Sequence, residues 1–308
     1  MEVDADMDIA INNENEKTNL QPINKMSFRE SLMTYRKHPV AGVILALVIM
    51  ATVVTVGLLC AIIIYILVKG IPNFSLELFA WEYTSENVSM MPAIINTLLM
   101  TGLSLMMAVP VGVCSAIYMV EYAKKGSRLV NLVSLTTETL SGIPSIIYGL
   151  FGYLFFVIAL GWRLSFIGGA ITLAIMVLPT IMRTTEEALK SVPDSFREGS
   201  FGLGAGKLRT IFKIVLPSAV PGILSGIILA IGRIAGETAA LLYTAGTQAK
   251  VPESIFDSGS TLSVHMYKLM SEGLYTDQAY ATAVVLLLMV VLINALSGYV
   301  AKKLKKEY

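Results

Sequence analysis

The chain has 308 residues, of which 55% are hydrophobic and only 15% charged, with a net charge of +1. Its mean hydropathy of +0.70 excludes an ordinary water-soluble domain and lends no support to nucleic-acid binding. The two cysteines, Cys60 and Cys114, fall inside apolar runs; they read as small buried side chains and suggest neither a disulfide nor a metal site.

In chain order, residues 1 to 25 carry Glu2, Asp4, Asp6, Asp8, Glu14 and Glu16 among Asn and Gln. They read as a disordered acidic tail, without the positive-then-apolar order of a signal peptide. Residues 26 to 40 set Phe28, Leu32 and Tyr35 beside Arg29, Arg36 and Lys37, which fits an interfacial segment or a plain solvated linker. The membrane domain is residues 41–308. A hydrocarbon core of about 30 Å needs about 20 helical residues to cross it, and six runs qualify: Ala41 to Val68, Pro92 to Val120, Leu129 to Leu160, Leu164 to Met182, Ser218 to Ala245 and Ala279 to Val300. Because these runs are continuous rather than alternating, the fold class is an all-α membrane protein with six transmembrane helices.

Lys and Arg sort the loops into two sets. Lys17, Lys25, Arg29, Arg36 and Lys37, then Lys124, Lys125 and Arg128, then the basic residues from Arg183 to Lys213, then Lys302, Lys303, Lys305 and Lys306, all fall on one side. The other side has Lys69, Arg163, Lys250 and Lys268. Positive residues stay inside, so both termini are expected in the cytoplasm. The outer loops lean acidic through Glu77, Glu82, Glu86, Glu253, Asp257, Glu272 and Asp277, and no basic funnel collects an anion from bulk water. Arg163, His265 and Lys268 read as solvated.

Three places within the spans and loops carry chemistry. Glu138 stands in the third span shortly before Ser141-Gly142-Ile143-Pro144-Ser145, where proline removes a helical hydrogen bond and a kink is expected; it is either a pathway carboxylate or a satisfied structural one. In the fifth span, Arg233 and Glu237 lie four residues apart, so on a continuous helix they share a face and can contact each other. A charge at the bilayer centre costs about 2.5 to 3.5 kcal/mol, so both must face protein or water. They form either a structural pair or, as the guanidinium fork suits phosphate oxygens, part of a translocation path. The loop Arg183 to Pro217 reads as helix, turn, helix, with Phe196, Ser200, Phe201 and Leu203 on one side and Gly202, Gly204 and Gly206 supplying the turn.

Within that loop, Glu198-Gly199-Ser200, then Gly204, then Ile214-Val215-Leu216-Pro217 resembles the signature by which ABC-importer permeases dock on a separate ATPase. Gly199 and Ser200 stand where the commonest form has two alanines; both are small enough to let a partner approach. From roughly Met91 onward the chain resembles the A-type permease of the phosphate-specific ABC importer. The supporting residues are Ser141 to Gly152, Leu178 to Leu189, and Gly236-Glu237-Thr238-Ala239, with Ala240 departing from the usual proline. The resemblance implies a type I ABC importer permease fold and a docking loop 183–217 using Glu187, Arg197, Glu198, Gly199, Ser200 and Gly204. It also implies a sister permease, two ATP-binding subunits and an external phosphate-binding protein, in the inner or plasma membrane. No cofactor is expected on this chain, and ATP is used by the partners. The nearest approach to a nucleotide motif is Gly206-Lys207, where Phe201 replaces the first P-loop glycine and Leu208 the Ser/Thr.

Other readings stay open on residues alone. The sister, C-type permease is the alternative, although it would be expected to read Gly-Glu-Thr-Met where this chain has Gly236-Glu237-Thr238-Ala239, so Ala239 points to the A-type. Arg233 suits sulfate or molybdate as well as phosphate. A stand-alone secondary transporter would show internal repeats or several midplane charges. A membrane enzyme would cluster His, Asp or Cys, whereas His38 and His265 are assigned to opposite sides.

Overall fold

The structure, a computed structural model, describes residues 39–124 and 126–306. The expected acidic tail and most of the interfacial segment lie outside the described residues. The chain divides into two compact units at Ile64 and Tyr65. The described part of the first is the helix α1 (Pro39–Gly70) as far as Ile64. Its sequence is apolar all round, as a helix surrounded by hydrocarbon requires.

The second unit contains α2 (Met91–Ile117), α3 (Arg128–Ser141), α4 (Ser145–Gly152), α5 (Phe166–Lys190), α6 (Asp194–Gly202), α7 (Lys207–Thr210), α8 (Leu216–Ala235), α9 (Ala239–Thr244), α10 (Leu262–Glu272) and α11 (Thr276–Lys306). π-helical turns continue α2 (Tyr118–Tyr122) and α4 (Tyr153–Ala159) and join α7 to α8 (Ile211–Val215). Among the described residues, five helices are long and apolar enough to cross a membrane, or six if the bent pair of α3 and α4 counts as one span.

The third expected span is therefore not a straight helix. Its two halves meet at 104°, because Gly142 ends α3 and Pro144, which has no N–H to donate, starts α4. Tyr148 reaches back over the break and donates to the Leu140 carbonyl at 2.7 Å. The fifth expected span also breaks. Helix α8 stops at Ala235 and α9 begins at Ala239. The fourth runs on past Met182 as one helix to Lys190, so the loop begins as a rigid extension of α5.

The core forms where α2, α5 and α8 pack, around Met100, Ala108, Leu173, Val177, Ile181 and Ile234, with Tyr148, Leu241 and Val264 closing it. Several hydroxyls inside these helices are satisfied locally: Thr97, Thr101, Thr172 and Thr184 each donate to a carbonyl one turn back. The short helices α4 and α9 approach so closely that a Cβ on Gly149 would stand 2.8 Å from the Ala240 Cα. Small residues there let two backbones meet, and this brings the two helix breaks side by side. Contrary to expectation, Cys60 and Cys114 are exposed: in a membrane helix a small apolar side chain is as much at ease on the lipid face as in the core.

Candidate functional site: a docking loop and a pair of helix breaks

The loop from Arg183 to Pro217 has a small core of its own. Leu189, Val192, Ile211, Val215 and Ala219 pack on Ala116 and Ile117 of α2. Pro193 sets the start of α6, and Gly204 takes a left-handed φ of +82° that turns the chain from α6 toward α7. Ser200 is buried and shares a 2.8 Å hydrogen bond with Thr210, closing α6 onto the next turn. Arg197 is the hub. It contacts Glu121 Oε1 through Nη2 at 2.7 Å and Nε at 3.2 Å, Asp194 at 3.2 Å, and the carbonyls of Val192 at 2.7 Å and Leu189 at 2.9 Å.

Of the residues expected to dock a partner, Glu187, Glu198, Gly199 and Gly204 are exposed, whereas Arg197 and Ser200 hold the loop together from within. Of the residues expected on one side of α6, Ser200 is buried while Phe196, Phe201 and Leu203 are exposed, Leu203 with 92% of its surface; Leu208 and Phe212 of the following turns are exposed as well. Leu203, Ala205, Arg209 and Lys213 border a depression of about 310 Å³. Exposed ion pairs flank the helix leading into the loop, Arg183 with Glu187 at 3.2 Å and Lys190 with Glu186 at 2.6 Å.

At the helix breaks, Arg233 sits in the last turn of α8 and Glu237 beyond its end. The expected contact between them is absent because the helix stops between the two residues, so the four-residue spacing no longer places them on one face. Glu237 is 9% exposed and accepts a hydrogen bond from the Ala240 N–H at 3.1 Å. It thus covers the positive end of α9 as a capping carboxylate does, while its own carbonyl accepts from Ser263 at 2.6 Å. Arg233 makes no hydrogen bond or ion pair among the described residues; its charge lies within electrostatic reach of Tyr148.

Glu138 lies elsewhere. It is exposed on α3 and borders a groove of about 340 Å³ with Thr137, Arg183, Glu186, Glu187 and Lys190. The structure therefore brings Glu138 to the loop end of α5, not to Arg233. His265, expected in solvent, is 1% exposed, edge-on to Tyr83 at 6.0 Å between ring centroids. Burial above all, aided by the charge of Lys268 and opposed by the Val88 backbone, pushes its pKa down to about 4.

Sequence reading missed Glu121 and Tyr148. Glu121 partners a residue 76 positions away, a distance no local pattern encodes. Tyr148 lies in the motif that carried the resemblance, but reads there as one more apolar residue.

Residues 108–306 match the family of binding-protein-dependent transport system inner membrane components, and the chain belongs to that family. It is 31% identical over 261 residues to the probable ABC transporter permease protein YqgI of Bacillus subtilis (strain 168), covering 79% of this chain and 88% of that one. It is 34% identical over 244 residues to the phosphate transport system permease protein PstA of Pasteurella multocida (strain Pm70), covering 77% and 85%. The inward-facing MetNI methionine ABC transporter shares the fold with a TM-score of 0.55 at 22% identity, over 69% of this chain and 94% of that one. The architecture is that of type I ABC importer permeases, and the chain is a membrane component of an importer rather than its ATP-hydrolysing part.

Proposed function

We propose that this chain is one of two related permeases that together form the path by which inorganic phosphate enters the cytoplasm, driven by two separate ATP-binding subunits. An external binding protein delivers the phosphate, so the acidic outer loops need not attract it. The termini lie inside. The observation that carries this reading is the docking loop: an internally clasped unit that displays Phe196, Phe201, Leu203, Leu208 and Phe212 to a partner.

Support for the path comes from the paired helix breaks. Discontinuous helices are the usual way a membrane protein offers backbone and charge to a polar solute at depth. Arg233 stands there without a hydrogen bond or ion pair among the described residues, and its five-donor fork fits tetrahedral oxyanions. Glu237 shapes the break by capping α9. The likeness to proteins described as phosphate transport permeases selects phosphate among the oxyanions; sulfate or molybdate is the competing cargo, since the same fork accepts them. The chain itself binds no cofactor in this scheme.

The test is uptake of radiolabelled phosphate into proteoliposomes holding the complete complex, with ATP inside and excess sulfate outside. Uptake that sulfate leaves untouched is expected. Uptake abolished by sulfate would overturn the cargo, and recovery of the chain from detergent without any ATPase would overturn the class.

A further inference from the structure

Helix α2 ends in the π-helical turn Tyr118–Tyr122, and two adjacent residues of that turn hold both halves of the docking loop. Glu121 accepts two hydrogen bonds from Arg197 of α6 at 2.7 and 3.2 Å. Tyr122 lies under the ammonium of Lys207, the first residue of α7, 4.9 Å from the ring centroid, within the range of a cation–π contact. The two helices on either side of the Gly204 turn are therefore fastened to one spot. Through the carbonyls of Leu189 and Val192, the same guanidinium also secures the end of α5.

The ion pair is nearly dry, with side chains 14% and 8% exposed. Charges so placed are strongly held by each other, and removing one strands its partner in a poor solvent. From this anchor α2 runs back along α5 through the core, toward the helix breaks where Arg233 lies.

We propose that Glu121 is a positioning residue for transport: it locks the docking loop to α2, so that a push on the loop tilts α2 and α5 as one body instead of being absorbed in a slack joint. The inference rests on the importer reading above. A pair that served only to hold the fold would, when weakened, lower assembly, ATP hydrolysis and uptake together. A positioning pair separates them, because the partner still docks and hydrolyses ATP while less solute moves for each ATP spent.

The experiment compares the complete complex carrying the native chain, Glu121→Ala or Glu121→Gln in proteoliposomes, measuring phosphate uptake and ATP hydrolysis in the same preparation. We expect phosphate moved per ATP to fall about tenfold in Glu121→Ala, an ordinary size for coupling between sites. The fall should be about threefold in Glu121→Gln, which keeps an acceptor for the guanidinium but loses the charge. An unchanged ratio overturns the proposal, as does a parallel loss of assembly, hydrolysis and uptake in Glu121→Gln. If Glu121→Ala fails to assemble, Glu121→Gln decides alone on the same ratio. A native complex showing no ATP-dependent uptake would instead overturn the importer reading itself, before any variant is compared.

Discussion

In the docking loop, Arg197 is held by Glu121, Asp194 and two backbone carbonyls. At the helix breaks, Arg233 has no hydrogen bond or ion pair among the described residues, although a charge at membrane depth costs about 2.5 to 3.5 kcal/mol. The two side chains have the same chemistry and opposite surroundings. Where neighbouring residues supply the partners, removing the charge should cost stability as well as coupling. Where the described residues supply none, a partner from outside fits the site, and removal should act on function with little cost in stability.

The largest expected effect lies at the break. Arg233→Gln should lower phosphate uptake about 100-fold, since loss of a charged hydrogen-bond partner typically costs about 2 to 5 kcal/mol. Unfolding in detergent should stay within about 0.5 kcal/mol of the native chain. The reverse pattern would break the comparison.

Arg197→Ala should destabilise the chain by about 3 to 5 kcal/mol, the usual cost of stranding one member of a buried pair, read as an earlier unfolding midpoint in titration with denaturing detergent. A variant as stable as the native protein would show that the clasp is dispensable. Together these two substitutions separate a partnered arginine from an unpartnered one.

His265 extends the contrast to pH. Its pKa is lowered in the folded protein to about 4, against 6.5 for the free side chain. Between those values the unfolded chain binds a proton that the folded chain refuses. Stability is therefore unaffected above about 6.5 and falls as pH drops toward 4, by at most about 1.4 kcal/mol per pH unit. Thermal unfolding followed between pH 7 and pH 4 should show the drop in the native chain and a shallower one in His265→Leu. Equal slopes would place the pH sensitivity on other groups.

The smallest effect is expected on the open face of α6. A Cβ at Gly199 meets nothing within 4 Å, so Gly199→Ala should stabilise the helix by about 0.5 to 1 kcal/mol. It should not alter docking, because alanine is the residue commonest at that place in the resembling signature. A loss of ATPase binding would show that the glycine is needed for contact.

The spans were readable because the bilayer imposes length and apolarity on a continuous run, and Pro144 announced the first break by the donor it lacks. The second break was hidden. Apolar residues continue from Ser218 to Ala245, and only the end of α8 at Ala235 and the capping by Glu237 reveal that two helices share the run. Spacing alone paired Arg233 with Glu237, because the rule of four presumes a continuous helix. The docking loop was located by its glycines and its proline, but the pattern grouped Ser200 with Phe196, Phe201 and Leu203, whereas the structure buries Ser200 against Thr210 and leaves the three apolar side chains exposed. His265 was misplaced for a related reason: it belongs to a loop by sequence, but α10 packs it beneath Tyr83. Glu121 and Arg197 meet only in three dimensions.

The account depends on this chain being one half of a passage that a separate ATPase must drive. The most direct measurement places the purified chain in liposomes and follows labelled phosphate, first alone, then with a sister permease, ATP-binding subunits, binding protein and ATP. We predict no flux from the chain alone and ATP-dependent accumulation with the full set; phosphate crossing through the chain by itself, without nucleotide, would contradict the account.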